Sequence, residues 1–430
     1  MKALVKGTAQ RRGAVNIHGA KNSILPLVCS SILFSNSSFH NVPDIQDLTY
    51  LLEILKVDLG IKSFRDSSNL HIRSAGNELH SVVLSHKFIG SIRYSTLLMG
   101  ALLGSGVESV TIPISGGCSS FGDRPIDIHL SGFEKLGYSV VTSDDSIEIT
   151  RTPLINTSVN FTLSFASVGA TINLVMAALG RSGTTVISNI AMEPEVSNVI
   201  EYLCKRTKRI SLGDGFVEIY SALSTGINDN RNEINWSVMP DRIEAVSYLI
   251  LGALSSGCEI NNIEGLNLTG VAPLLDEIGI DYYFQKNKII VNPSKILIKP
   301  VDAQTGTFPS LNTDYQPFIT VALLFANGIS SIADKIYPKR FSYLKELHES
   351  ASFEILKFED GKVTIKGSKE LTFSGNNLYA HDLRAGFCMC LMASLFEQNV
   401  IIENFDQVKR GYSNITENFK SFGVDLTEES

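Results

Sequence analysis

The sequence predicts an α/β protein made of two similar domains. Three observations carry that reading. One unit recurs six times at spacings of roughly 70 residues. Within each unit an apolar helix is followed by a strand, then by a second helix that ends near glycine before another strand. Six copies divide most simply as three plus three, and copies of one supersecondary unit bury their apolar faces on each other. Sheets covered by such helices form a layered α/β architecture.

The first helices open near Ala20 (AKNSILPLVCSSIL), Ile92 (IRYSTLLMGALLGSG), Val168 (VGATINLVMAALGRSG), Asp241 (DRIEAVSYLILGALSSG), Thr313 (TDYQPFITVALLFANG) and Asp382 (DLRAGFCMCLMASLFEQ). They are apolar nearly all round, the pattern of a buried helix. The second helices are amphipathic, and FEKLGYSVV and FKSFGVDL place a glycine just past the last turn, a helix stop. Upstream, ALVKGTAQRRGAVNIHGAKN alternates apolar and polar residues around Gly13 and is expected to form a β-hairpin. That hairpin is assigned to the second half, so that the first and last strands of the chain meet. The chain should cross between the domains twice, near residues 20–22 and near 236–241. One domain then spans 22–238, and the other 1–21 plus 239–430.

Hydrophobic residues make up 44% and charged residues 19% of the 430, the balance of an ordinary globular protein with a large core. A net charge of −7 speaks against a nucleic-acid surface, which usually carries a basic excess. The apolar runs are too short to span a membrane. The six cysteines, Cys29, Cys118, Cys204, Cys258, Cys388 and Cys390, show no framework spacing. The opening MKALVKGTAQRRGAV carries no signal-type apolar run. A cytoplasmic protein is expected, monomeric or weakly oligomeric. The histidines lack ligand spacing, and Cys388 and Cys390 lie on different faces of one helix, so no metal or cofactor is expected. No Walker loop, GxGxxG or GxSxG occurs.

Charged residues recur at one place, the start of an otherwise apolar first helix: Lys21, Arg93, Asp241, Arg242, Asp314, Asp382 and Arg384. Six helix ends turned toward one interdomain space would gather several cations, a set that suits a phosphate or carboxylate. Lys21 and Asn22 precede the buried run SILPLVCSSIL, where polar groups need a polar partner. Asp314 either caps its helix or, with Thr313 as the cap, is left to take a proton from a hydroxyl. Asp241 and Asp382 hold matching positions, so the repeat alone does not select the base. Arg410, in KRGYSNI, can reach the same space.

The segment ISGGCSSFGDRPIDIHLSGFEKLG (residues 114–137) is the least ordinary in the chain. Gly116, Gly117 and Gly122 surround Cys118, the one cysteine on a polar loop, where a thiol can give up or donate a proton. Arg124 either pairs with Asp123 or faces an anion. Pro125 suits the first position of a helix whose free N–H groups would also attract an anion. His129 is the histidine nearest this loop.

GAKNSILPL, GGC followed by RPIDIHL, SVGAT, PDRIE, TDYQP, DLRA and RGY occur in this order across the whole chain. Together they resemble the enolpyruvyl transferase family that includes EPSP synthase, and within it the branch acting on UDP-N-acetylglucosamine. The resemblance implies two inverse α/β barrel domains, each of three βαβαββ units, with the active site in the interdomain cleft. It implies transfer of the enolpyruvyl group of phosphoenolpyruvate to the sugar 3-hydroxyl with release of phosphate. By motif, Cys118 matches the proton donor to the methylene, and Asp314 the group that deprotonates the hydroxyl. Lys21, Asn22, Arg124 and Arg410 match the phosphoenolpyruvate contacts. Arg93, the stretch Pro125, Ile126, Asp127, Ile128 and His129, the helix start Ser167, Val168 and Gly169, and Ile336 match the nucleotide-sugar site. Arg340, Asp382 and Arg384 match further cleft residues. Departures from the family pattern in LNTDYQP, IYPKRF and DLRAGFCMC keep a second acceptor in view, another uridine nucleotide such as UMP.

Overall fold

The structure, a computed structural model, describes residues 1–73, 79–113, 126–153, 157–205, 209–221 and 233–429. Its strands form six four-stranded sheets. In every sheet one outer pair is parallel and the two remaining pairs are antiparallel. This is the signature of one βαβαββ unit, used six times. A parallel neighbour requires a crossover, and in four units the first helix supplies it; in the other two, Ile234–Ser237 beside Asn36–His40 and Gly13–Asn16 beside Cys258–Asn261, the parallel strand comes from a distant part of the chain.

The helices of the first half are α1 (Lys21–Ser30), α2 (Gln46–Leu59), α3 (Leu97–Ser105), α4 (Asp127–Lys135), α5 (Val168–Ala178) and α6 (Pro194–Cys204). Those of the second half are α7 (Arg242–Leu254), α8 (Ala272–Glu277), α9 (Gln316–Leu323), α10 (Ser342–Ser350), α11 (Leu383–Ser394), the short α12 (Asp406–Lys409) and α13 (Ile415–Ser421). The first-type helices α1, α3, α5, α7, α9 and α11 are buried along nearly their whole length. Helices therefore fill the interior and sheets form the outside, as the all-round apolar pattern requires. Where α3 meets α5 the backbones touch: a Cβ on Gly100 would lie 2.0 Å from the Asn173 carbonyl oxygen, and one on Gly104 would lie 2.2 Å from that of Met176.

The buried apolar residues fall into two clusters. One runs from Ile24 to Val238. The other joins Ala3 to Ile17 with Ile243 to Leu426. The chain passes between them through two segments that lie side by side. Ala20 N donates to Met239 O at 2.7 Å, Asp241 N donates to His18 O at 2.9 Å, and Gly19 bridges Pro240. The strand before each segment pairs in one unit, yet the helix after it belongs to another.

The expected opening hairpin does not form. β1 (Lys2–Lys6) pairs antiparallel with the strands Val400–Glu403 and Asp425–Glu429, whereas β2 (Gly13–Asn16) pairs parallel with Cys258–Asn261 in a different sheet. Residues between them are held by distant partners: Ala9 N donates to Ser394 O and Arg11 N to Phe422 O. Local alternation marked both strands correctly but carried no information on their partners. The meeting of first and last strands does occur, with Lys2 opposite Glu429.

Among the described residues no helix is long and apolar enough to cross a membrane. The described cysteines are all free thiols. Burial raises Cys29, Cys388 and Cys390 far above the ordinary thiol range, which keeps them inert.

Candidate active site

Two groups of charges meet along the seam between the two cores. The first is built on Asp47, in the opening turn of α2 and 3% exposed at its side chain. Its carboxylate takes Lys21 Nζ at 2.7 Å, from the start of α1, and Arg410 Nε at 2.8 Å, from the end of α12. Burial alone would raise the Asp47 carboxyl, but Lys21 and Arg410 outweigh it and hold it below the usual range. Burial pulls the Lys21 amine down, with Asp47 opposing and Arg410 and Arg384 assisting. Arg410 Nη2 also donates to Ser91 O at 2.9 Å, and Asp44 N to Ser413 Oγ at 2.8 Å, so the second core is tied to the first here.

The second group is built on Asp314. Arg340 Nη2 lies 3.0 Å from one carboxylate oxygen and Arg384 Nη2 lies 3.3 Å from the other. The carboxylate is 20% exposed while the arginines are 4% and 3% exposed, so it presents the open edge of a buried ion triad. Asp334 stiffens this corner. It accepts from Thr305 Oγ1 at 2.8 Å, from Thr313 Oγ1 at 2.6 Å, and from the backbone of Ile336 and Tyr337.

Of the three matching aspartates, the geometry sets Asp314 apart. Asp241 accepts from Ile243 N and Glu244 N, and Asp382 from Arg384 N and Ala385 N; both are N-caps of their helices. Asp314 caps nothing. The cap of its 3₁₀ turn is Asn312, not Thr313, whose hydroxyl is committed to Asp334. Nor is the Asp314 carboxylate free as that capping argument implied, since two guanidiniums flank it.

Arg242 does not join the open cations. It is buried, with Nε 2.8 Å from Glu195 across the seam and Nη1 3.0 Å from Tyr315 OH. Each of Lys21, Arg242, Arg340, Arg384 and Arg410 has an internal acid, which the spacing of cations in the sequence did not reveal. Tyr94 lies within the field of the Asp314 group and bonds Asn22, the neighbour of Lys21. Its hydroxyl donates to Asn22 Oδ1 at 2.8 Å, and burial raises its pKa, with the fields of Asp314 and Glu195 adding and those of Arg93 and Arg384 opposing.

Another set of candidates lies at the starts of α4 and α5, whereas Arg93 opens the 3₁₀ turn Arg93–Thr96 and Ile336 N donates to Asp334 in the second half. Helix α4 opens at Asp127 with Ile126 as N-cap, and Ile128 follows in its first turn. Ser167 caps α5 by accepting from Ala170 N, ahead of Val168 and Gly169. His129 is buried and is pushed down to about 3 by burial and then by Arg93. Cys118, Arg124 and Pro125 lie outside the described residues. Among the described residues no grouping of His, Cys, Asp or Glu could hold a metal ion.

Asp47, Glu195 and Asp334 were missed by sequence reasoning. Asp47 and Glu195, in the first turns of α2 and α6, read as ordinary dipole partners, and Asp334 as a loop acid after the strand Gly328–Ala333. The available signal was the pairing rule: buried cations at helix starts demand buried acids elsewhere.

Residues 5–419 match the model of the EPSP synthase (3-phosphoshikimate 1-carboxyvinyltransferase) family. The chain is 33% identical over 431 aligned residues to UDP-N-acetylglucosamine 1-carboxyvinyltransferase 2 of Staphylococcus aureus strain MRSA252, covering 99% of this chain and 98% of the relative. It is 33% identical, with the same coverage, to the Staphylococcus epidermidis protein of that name. The fold is similar to that of the enolpyruvyl transferase NikO from Streptomyces tendae, with a TM-score of 0.84 at 20% identity over 100% of this chain and 99% of that one. It is also similar to EPSP synthase from Acinetobacter baumannii, with a TM-score of 0.73 at 15% identity and full coverage of both. The chain belongs to the EPSP synthase family of enolpyruvyl (1-carboxyvinyl) transferases, with its two-domain α/β fold.

Proposed function

We propose that this enzyme transfers the enolpyruvyl group of phosphoenolpyruvate to the 3-hydroxyl of UDP-N-acetylglucosamine and releases phosphate, the first committed step of peptidoglycan synthesis in the cytoplasm. The observation that carries this reading is the pairing of Lys21, Asp47 and Arg410 beside the Asp314 triad at one seam. The full-length 33% identity to enzymes named for that acceptor supports it. The two domains are taken as 22–238 and 1–21 plus 239–430, the division that the two apolar clusters suggest.

In the proposed reaction, Lys21, Asn22, Arg124 and Arg410 hold phosphoenolpyruvate through its phosphate and carboxylate. Asp314 takes the proton of the sugar hydroxyl as its oxygen bonds to C2. Cys118 delivers a proton to the C3 methylene, so the addition is balanced. Loss of a proton from C3 and cleavage of the C2–O bond to phosphate then yield the enol ether. Fixed cations suit a substrate that carries about three negative charges, because preorganised charge needs no rearrangement during reaction. Arg93, Pro125, Ile126, Asp127, Ile128, His129, Ser167, Val168, Gly169 and Ile336 are assigned to the nucleotide sugar. Arg340, Asp382 and Arg384 hold the wall around Asp314. The enzyme works on small molecules as a monomer or weak oligomer.

The role of Cys118 is tested with an epoxide phosphonate that mimics phosphoenolpyruvate. Mass spectrometry should find the adduct on Cys118, and an adduct on another cysteine would reject that role. The acceptor is tested by turnover with the nucleotide sugar and with UMP in parallel.

A further inference from the structure

We propose that Asn173 is a positioning residue that locks His129 in the Nε2–H tautomer, so that this N–H donates to an oxygen of the nucleotide sugar. The inference rests on the proposed acceptor reading and adds a residue to it.

The hydrogen bonds around Asn173 leave one solution. Gly100 N donates to Asn173 Oδ1 at 2.7 Å, and Asn173 Nδ2 donates to Thr96 O at 3.0 Å. A backbone N–H needs an acceptor and a carbonyl needs a donor, so the amide can point only one way. Its second Nδ2 hydrogen faces His129 Nδ1 at 2.9 Å. An amide nitrogen cannot accept, so Nδ1 must offer a lone pair. Burial keeps the ring neutral, leaving it a single proton, and that proton is on Nε2.

The Nε2–H has no hydrogen-bond partner among the described residues. A donor left without a protein partner is open to an acceptor from outside, and a ligand oxygen would satisfy it. Its edge of the ring rests against the first turn of α5: a Cβ on Gly169 would come within 3.3 Å of Nε2 and 3.2 Å of Cε1. Gly169, Val168 and Ser167 are half-buried at that turn, whose first N–H groups also seek acceptors. The same backbone contact between α3 and α5 that needs Gly100 fixes Asn173 in place.

The test is Asn173→Asp. A carboxylate still accepts from Gly100 N, although it gives up the Thr96 bond. It can only accept from His129, so the neutral ring must move its proton to Nδ1 and turn a lone pair toward the ligand. An imidazolium, favoured at lower pH by the new carboxylate, would restore the Nε2–H. Among the described residues, Arg93 is the charge that acts on the ring; Asp127 opens the ring's own helix, and α5 carries no charged residue.

At about pH 8.5 the variant's KM for UDP-N-acetylglucosamine should rise about tenfold, the loss of one hydrogen bond, and the gap should narrow toward about pH 6. The KM for phosphoenolpyruvate should not change. In the substrate-free wild type, nitrogen-15 NMR should show the lone pair on Nδ1. A proton on Nδ1 in the wild type, or a KM gap equal at both pH values, would overturn the proposal. If the variant fails to fold, the wild-type spectrum still decides the tautomer, and an Nε2–H resonance that UDP-N-acetylglucosamine does not shift would refute its use. If the wild type does not turn over that acceptor, the functional reading fails while the NMR result stands by itself.

Discussion

Asp47 Oδ1 accepts from Arg410 Nε at 2.8 Å although 363 residues separate the two in the chain. One residue belongs to the first core and the other packs with the second. Because Asp47 also takes Lys21, a single acid spaces the two cations proposed to grip phosphoenolpyruvate.

Removing that acid leaves two cations facing each other at a seam. Breaking a buried pair typically costs about 3–5 kcal/mol, and the partial exposure of Arg410 puts this case near about 3. Asp47→Ala should therefore lower Tm in scanning calorimetry, and phosphoenolpyruvate should recover more of the loss than it adds to the wild type. An unchanged Tm would show that the triad does not bind the halves together.

Asp314→Asn removes the proposed base but keeps the shape of the side chain. General-base catalysis contributes roughly 10²–10⁴-fold, so kcat should fall by that order. Stopped-flow turnover at saturating substrates measures it. Near-normal kcat would move the base elsewhere.

His18 links the crossing segment to the second core through Glu244, with Nδ1 3.3 Å from Oε1. Burial lowers the His18 pKa, but the hydrogen bond and charge of Glu244, helped by Asp241 and Asp44, leave it raised above its ordinary 6.5. The unfolded chain lacks that partner. The contribution is therefore full below 6.5 and is lost as pH rises through the higher folded value. The Tm difference between wild type and His18→Gln should shrink between about pH 6 and about pH 8.5. A difference that grows with pH would contradict the pair.

Gly19 lies where the two crossing segments pass, and a Cβ there would sit 2.0 Å from Asn41 O. Gly19→Ala must displace backbone, which typically costs about 1–3 kcal/mol. Chemical denaturation should show that loss, whereas Gly60→Ala, with open space around it but φ of +65°, reports backbone strain alone. Equal stability of Gly19→Ala and wild type would mean that the crossing is looser than described.

Much of this architecture was legible in the sequence because it is periodic. All-round apolar helices announced α1, α3, α5, α7, α9 and α11 as interior elements. Their charged first turns pointed to the seam. Pairing was not legible. Nothing local tells β1 to join strands some 400 residues away, as its register with Val400 and Glu429 requires. The acids Asp47 and Glu195 were hidden for the same reason, since their meaning comes from cations brought to them by the fold, and Asp334 because the hydroxyls and backbone N–H groups it accepts from are gathered only by the fold. The choice among Asp241, Asp314 and Asp382 needed the caps, which depend on backbone direction rather than residue type.

The most direct measurement is turnover of labelled phosphoenolpyruvate with UDP-N-acetylglucosamine and, separately, with UMP. The account predicts one phosphate released per labelled enolpyruvyl ether formed on the nucleotide sugar, and no ether on UMP. An ether formed on UMP alone, or no phosphate release with the nucleotide sugar, would contradict it.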